Sequence, residues 1–224
     1  MPSTTSTGSR RARPRPTVSS TSPTGHDLGY IAAAAATDLR AVEAIGDAFE
    51  GSGKPFVVPS GTMAAPLGRL ATERDDGDPA SPGVHRIATE ATAIALAERG
   101  VRSSVVRPAP SVHGRGDHGF VPALIDIART TGISAMVGDG ANRWPAVHRR
   151  DAAHLFRLAL EAAPAGSRLH AAADEGIPFH DIAHVIGRQL DVPLACVPHE
   201  HAQAHFGWLA PFASSDNPSS SRAT

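Results

Sequence analysis

Apolar and polar residues along the chain alternate between two spacings, one typical of helices and one of short buried strands. The Ala-rich stretch "YIAAAAATDLRAVEAIGDAFEGSG" predicts a long helix that ends at Gly51 or Gly53, and "KPFVVPSG" predicts a short apolar strand after it. "PGVHRIATEATAIALAERG" predicts a second helix that Gly100 ends, and "VRSSVVRP" a second strand that Pro108 ends. This alternation indicates a parallel sheet with helical crossovers, so we expect the α/β fold class.

The second half of the chain continues this alternation. It predicts a helix over "DHGFVPALIDIARTTG", strands over "SRLHAAAD" and "PLACVP", and helices at about 151–163, 178–190 and 199–207. Residues 1–25 and 213–224 are rich in Ser, Thr and Pro and poor in apolar residues, so their burial cannot offset the entropy of ordering them. We therefore expect two disordered tails around a folded part.

Composition and charge exclude several classes of protein. The 21 basic and 22 acidic residues give a net charge of −1, which offers no basic surface for nucleic acid or for an anionic membrane. No apolar run has the length of about 18–20 residues that a membrane span needs, and the amino terminus lacks the apolar region of a signal peptide. Cys196 is the single cysteine, so no internal disulfide can form. We expect a cytoplasmic protein.

The two predicted strands end in small and hydroxylated residues. The first ends in "PSGT" and the second in "RPAPSVHGRGD". Ligands of open α/β sheets bind beyond the carboxyl ends of the strands, and small residues let a flat ligand approach the backbone. Both segments are therefore candidates for a ligand site, although ordinary strand-to-loop transitions have the same composition.

Four segments, in this order and spacing, resemble the extended or atypical short-chain dehydrogenase/reductase superfamily, of the NAD-dependent epimerase/dehydratase type. They are "FVVPSGT", "RIATE", "VVRPAPSVHGRGD" and "GDGANRWPAVHRRDAAHLFRLALE". The resemblance runs from about residue 26 to residue 218. It implies part of a Rossmann-like NAD(P)-binding domain at 26–117 and a small substrate lobe at 118–212 with interleaved core elements. It also implies NAD or NADP as the cofactor and a small carbonyl or sugar-like substrate.

The resemblance also assigns roles to individual residues. The family's hydroxyl that orients the substrate carbonyl corresponds to Ser60 and Thr62, the expected catalytic pair. Its loop that faces the nicotinamide corresponds to Pro108, Ala109 and Pro110. Its substrate side corresponds to His113, Arg143, Trp144 and His148. An arginine and an indole suit an anionic or ring-bearing ligand, although Trp144 could instead pack the lobe.

The sequence departs from the family pattern in two places. The family's glycine-rich G-x-x-G-x-x-G turn, which holds the cofactor pyrophosphate, has no counterpart. We therefore expect a truncated chain that enters the fold just after the family's fourth strand and binds dinucleotides weakly or not at all. The family's tyrosine and lysine dyad corresponds to Arg86 and Glu90. Because arginine keeps its proton and glutamate has the opposite charge to lysine, the usual proton relay cannot operate. Arg86 and Glu90 could instead form an i,i+4 surface ion pair.

These departures leave two functions open. One is an impaired oxidoreductase of this superfamily, and the other is a truncated, non-catalytic remnant that binds a small molecule or a partner chain. We expect no metal site, because the i,i+4 pairs His201/His205 and His180/His184 have no nearby cysteine. A serine hydrolase is excluded because "PSGTM" is not a G-x-S-x-G elbow. The strand "KPFVV" would lack a neighbour on one side, so self-association through that sheet edge is expected.

Overall fold

The computed structural model describes residues 28–224, so the tail predicted at 1–25 lies outside the described residues. The helices are α1 (Leu28–Phe49), α2 (Ile87–Ala95), α3 (Phe120–Thr131), α4 (Arg149–Ala162), α5 (Phe179–Leu190), α6 (Ala202–Phe206) and α7 (Ala210–Ala213). Short 3₁₀ helices lie at Thr62–Ala64, Val84–Arg86, Leu96–Arg99, His199–His201 and Gly207–Leu209. The strands are β1 (Pro55–Pro59), β2 (Arg102–Pro108), β3 (Ser111–His113), β4 (Ser134–Val137), β5 (Arg143–His148), β6 (Ser167–Ala171), β7 (Asp174–Pro178) and β8 (Leu194–Val197).

The main sheet is parallel and has the order β1-β2-β6. Helices α1 and α2 cover one face, where Val58, Leu96 and Val105 form a buried cluster. Helix α4 covers the other face, where Val106 and Ala159 belong to a second cluster. Burial of both faces is the usual state of a parallel sheet and explains why β1 is a continuous apolar run and why β2 has the buried pair Val105 and Val106 at its centre. The predicted α/β fold class is confirmed.

A second group of elements follows the main sheet. Strands β3, β5 and β7 form one small sheet, and β4 pairs with β8 in another. Helices α3, α5, α6 and α7 pack around a core centred on Trp144, Phe179 and Leu209, each fully buried. Since β6 lies between these elements in the chain but joins the main sheet, the two parts are interleaved. The domain boundary at 117/118 stays a prediction.

The carboxyl-terminal segment is ordered, so the prediction of a disordered tail at 213–224 is wrong. Asn217 is fully buried and bonds to Thr62 through both ends of its amide, with Thr62 Oγ1 to Asn217 Oδ1 at 2.8 Å. Ser219 pairs with Ala71 in an isolated parallel bridge. Low apolar content was the wrong criterion here, because the polar groups of this segment find hydrogen-bond partners on the folded part.

No helix in the part of the chain that the structure describes combines the length and the apolar character that a membrane crossing requires.

Candidate functional site

A cavity of about 420 Å³ lies where β1 and β2 end. Its walls come from the two strand ends, the turn before α2, one residue of α1, the segment from β3 to α3, and aromatic residues at the start of α3 and in the last helices. The lining residues are Ile31, Ser60, Gly61, Met63, Ala64, Gly83, His85, Arg86, Pro108, Ala109, Pro110, Val112, Asp117, Gly119, Phe120, Trp208 and Phe212. The cavity therefore lies at the place where open α/β sheets bind their ligands.

The two strand ends form the floor of the cavity. Backbone bonds of 2.8 Å from Ser60 N to Val106 O and of 3.0 Å from Ala109 N to Ala171 O fix them to the sheet. Ser60 Oγ is buried without a hydrogen-bond partner among the described residues. An unpaired buried hydroxyl costs stability unless a ligand or water completes it. Ser60, Pro108, Ala109 and Pro110 thus line the cavity together, while their catalytic and cofactor roles stay predictions.

Thr62 does not share this position. Its side chain is fully buried, and its hydroxyl donates to Asn217 in the ordered carboxyl-terminal segment. The Thr62 hydroxyl is therefore paired within the protein, and a catalytic role for Thr62 stays a prediction.

Aromatic side chains form one wall of the cavity. The ring centroid of Phe120 lies 4.8 Å from that of Phe212 and 5.6 Å from that of Trp208. Trp144 lies behind this wall, fully buried at 5.7 Å from Phe120, and its indole N–H donates to Phe212 O at 3.1 Å. Trp144 thus packs the lobe, the alternative that the sequence left open, and its contact with substrate stays a prediction. Trp144 supports the residues that line the wall.

The other predicted substrate residues also lie outside this cavity. Arg143 donates through Nε and Nη2 to Asp216 at 2.9 and 2.8 Å, and these bonds lower the pKa of the Asp216 carboxyl. His113 and His148 are paired across β3 and β5 with ring centroids 5.5 Å apart. His113 lines a separate apolar groove of about 550 Å³ between α3 and α5. Arg143, Trp144, His113 and His148 are therefore not brought together with Ser60.

Arg86 and Glu90 do not form the expected surface ion pair. Arg86 lines the cavity and donates to Asp38 on α1, with Nη1 to Oδ2 at 3.0 Å. Glu90 points the other way and is buried, with a side chain 3% exposed. It pairs with two arginines on neighbouring strands, Arg107 on β2 and Arg168 on β6. The 3₁₀ turn before α2 thus directs Arg86 to the cavity, while the first turn of α2 directs Glu90 to the interior.

The pairing of Glu90 closes a buried polar network. Arg107 is fully buried and donates to both carboxylate oxygens of Glu90, with Nε to Oε2 at 3.0 Å. A further bond of 2.8 Å runs from Arg107 Nη1 to the carbonyl of Asp75. Arg168 Nε donates to Glu90 Oε1 at 2.8 Å. The residue at the family's lysine position therefore has a structural role in this chain.

His85 is a cavity residue that the sequence reasoning missed. It lies next to Arg86 in the 3₁₀ turn Val84–Arg86 and is half-buried. Burial lowers the pKa of its imidazole, the nearby Arg86 lowers it further, and a hydrogen bond to the Pro82 carbonyl offsets part of this change. The signal available in the sequence was its position directly before the residue that replaces the family's tyrosine. Phe120, Trp208 and Phe212 had no such signal.

The described part of the chain contains no group of three or more His, Cys, Asp or Glu side chains placed to hold a metal ion.

Comparison with known proteins gives the chain's relatives. The uncharacterized protein C2A9.02 of Schizosaccharomyces pombe is 46% identical over 200 residues, which cover 89% of this chain and 67% of that protein. The chain belongs to the same family as this fission yeast protein. Within the family, the uncharacterized protein YLL056C of Saccharomyces cerevisiae is 42% identical over 199 residues, which cover 89% of this chain and 66% of that protein. No family model matches the sequence. The chain spans about two thirds of the length of both relatives.

Solved structures with this fold include NAD-dependent epimerase/dehydratase enzymes. The dTDP-glucose 4,6-dehydratase DesIV of Streptomyces venezuelae, solved with NAD and TYD, has a TM-score of 0.63 at 18% identity and covers 76% of this chain and 56% of its own. The human epimerase family protein SDR39U1, solved with NADPH, has a TM-score of 0.68 at 20% identity and covers 88% and 68%. MoeE5, solved with UDP-glucose and NAD, has a TM-score of 0.59 at 21% identity, and the match covers 72% of this chain and 57% of MoeE5. At these identities the likeness establishes the fold of this chain alone.

Proposed function

We propose that this chain contributes the nicotinamide end and the substrate side of the site in an NAD(P)-dependent oxidoreductase of the epimerase/dehydratase type, acting on a small carbonyl or sugar-like substrate. The observation that carries the proposal is the cavity itself: Ser60, whose buried Oγ has no partner among the described residues, lines it at the strand ends, and Phe120, Trp208 and Phe212 form its wall. The NAD and NADPH complexes of proteins with this fold support the choice of cofactor.

The lining residues fit a flat, weakly polar ring better than a phosphate. Pro108, Ala109 and Pro110 present a short surface of small residues. Gly61 lies close to them, since a Cβ added at Gly61 would lie 3.8 Å from Pro108 O. An aromatic wall adds stacking surface for such a ring. When bound, the cofactor supplies or accepts a hydride. Ser60 would then donate a hydrogen bond to an oxygen of the bound ligand, and the aromatic residues would exclude water from the reacting groups.

A binding titration tests this proposal. We expect NADH and NADPH to bind with a dissociation constant weaker than micromolar, since the sequence lacks the glycine-rich turn for the pyrophosphate. Ser60→Ala should weaken binding of a nicotinamide ligand roughly threefold to tenfold, the value of one ordinary hydrogen bond. Ser103→Ala is the matched control, because Ser103 Oγ is likewise buried without a partner among the described residues but does not line the cavity.

Two results would count against the proposal. If neither NADPH nor reduced nicotinamide mononucleotide bound at millimolar concentration, the cavity would have no role in nicotinamide binding. Equal effects of Ser60→Ala and Ser103→Ala would mean that the unpaired hydroxyl at the strand end does not contact the ligand. Tight, micromolar binding of NADPH would instead refute the expectation of weak affinity.

A second function, a non-catalytic binding protein, has one observation in its favour. Arg86 pairs with Asp38 and Glu90 lies in a buried network, so neither side chain at the family's dyad positions can exchange a proton with a ligand. Binding of a nicotinamide ligand without turnover of any carbonyl compound would favour this function.

A further inference from the structure

Reduction of a carbonyl compound, or oxidation of an alcohol, needs a group that exchanges a proton with the substrate oxygen. The titratable side chains that line the cavity in the described chain are His85, Arg86 and Asp117. Arg86 keeps its proton at all ordinary pH values. Asp117 Oδ1 accepts a bond of 2.7 Å from Gly119 N, which holds its carboxylate in the loop before α3. Histidine is the residue type whose charge changes near neutral pH.

We propose that His85 is the catalytic proton donor and acceptor of this cavity, in place of the tyrosine that the resemblance assigns to the next residue. The inference rests on the proposed function. It adds the group that moves the proton, and it makes a reaction possible in a site whose Arg86 and Glu90 cannot supply one.

The position of His85 is fixed against the strand end that carries Ser60. Its turn begins at Gly83, whose N–H donates to Met63 O at 3.0 Å. A Cβ at Gly83 would lie 2.6 Å from the backbone of Met63, a separation that no side chain tolerates. Glycine is therefore required for this close approach of two backbone segments. Because Met63 lies three residues after Ser60, the contact holds His85 and Ser60 in the lining of the same cavity.

The charges around His85 set its protonation state. Arg86 lies on the same turn, and its charge is partly balanced by Asp38 on α1 at 3.0 Å. Asp117 faces the cavity from the loop after β3. Burial and Arg86 together lower the pKa of the imidazole below its ordinary value of 6.5. The lowered pKa favours the neutral imidazole of His85, which suits it to accept a proton from an alcohol.

The proton and the electrons balance in both directions. In oxidation, the alcohol loses its O–H proton to the ring nitrogen of His85 that does not bond to Pro82, and its C–H hydride goes to the oxidised nicotinamide, leaving a C=O bond. The imidazolium then releases its proton to water. In reduction, the imidazolium returns a proton to the carbonyl oxygen, while the reduced nicotinamide supplies the hydride. Loss of such an acid or base costs about 10²–10⁴ in rate.

The test uses His85→Gln, with His85→Asn as a second variant if the first unfolds. His118→Gln is the matched control, since His118 is exposed in the nearby loop and does not line the cavity. The histidine ring signals of the full chain are followed by NMR while NADP⁺ is added. We expect the His85 signal to shift with NADP⁺ and the His118 signal to stay in place.

Turnover is then measured with NADPH and glyceraldehyde, and in reverse with NADP⁺ and glycerol, across pH. We expect the rate of oxidation in the parent to fall as the pH drops through the His85 pKa. In His85→Gln the rate should fall by about 10²–10⁴-fold and lose this pH dependence, while NADP⁺ binding is retained. His118→Gln should have the rate and the pH dependence of the parent.

Each other outcome overturns the inference in a distinct way. If NADP⁺ binds and His85→Gln turns over like the parent, the proposed function stands and His85 has no catalytic role. If NADP⁺ binds but the parent turns over neither substrate, the chain is a binding protein and His85 transfers no proton. If NADP⁺ does not shift the NMR signal of the His85 ring, the proposed function fails and the inference fails with it.

Discussion

Replacement of Glu90 by alanine tests the buried network most directly. The substitution removes the carboxylate that receives two donors from Arg107 and one from Arg168. Arg107 would keep only its bond to the Asp75 carbonyl and the contact with His170. Since the Arg107 side chain is 0% exposed, water cannot replace the lost partner without opening the structure.

The expected loss follows from the cost of an unpaired buried charge. Removing one partner of a buried ion pair costs about 3–5 kcal/mol, which is a large fraction of the roughly 5–15 kcal/mol that a folded domain has in total. For a chain of this size such a loss lowers the melting temperature by roughly 6–20 °C. Arg86→Ala provides the contrast, because its pair with Asp38 is partly exposed on both sides and contributes about 0.2–1 kcal/mol.

Urea denaturation followed by circular dichroism measures both changes, with the exposed Glu98→Ala as a control on the same stretch of chain. The double variant Glu90→Leu/Arg107→Met should be more stable than Glu90→Ala. Glu90→Ala leaves both Arg107 and Arg168 without their carboxylate partner, whereas the double variant leaves only Arg168. A loss below about 1 kcal/mol in Glu90→Ala, the range of an exposed pair, would refute the reasoning. It would mean that Arg107 reaches water or another anion.

Two further predictions concern pH and association. Burial, and then the charge of Arg107, lower the pKa of His170 below its ordinary value of 6.5. The unfolded chain therefore binds more protons than the folded chain below that pH. We expect the free energy of unfolding to fall as the pH drops below 6.5. Denaturation at several pH values checks this, and His170→Gln should flatten the dependence. Strand β1 lies at the edge of its sheet among the described strands, so we expect self-association that rises with concentration in light scattering. A monomer at high concentration, with strong hydrogen-exchange protection of Val57 and Val58, would contradict it.

Local sequence pattern was sufficient for the parts of the fold that each stretch of chain decides alone. The Ala-rich spacing located α1, and short apolar runs before Pro and Gly located β1 and β2 together with their ends. Because parallel strands place their carboxyl ends at one edge, the same pattern brought Ser60 and Pro108–Pro110 to a common site. Strands β3, β4, β5 and β7 were missed, since runs of three to six residues carry too little periodicity to distinguish them from loops.

Tertiary packing decided which side chains meet, and therefore what each does. Whether Glu90 faces Arg86 or the interior depends on the strands behind α2, which bring Arg107 from 17 residues away and Arg168 from 78. Thr62 became a structural residue because Asn217, 155 residues later, reaches its hydroxyl. Trp144 lies in the core since the last helices close over it. His85 joined the cavity through the contact of Gly83 with Met63, a backbone approach between distant segments that no local pattern encodes.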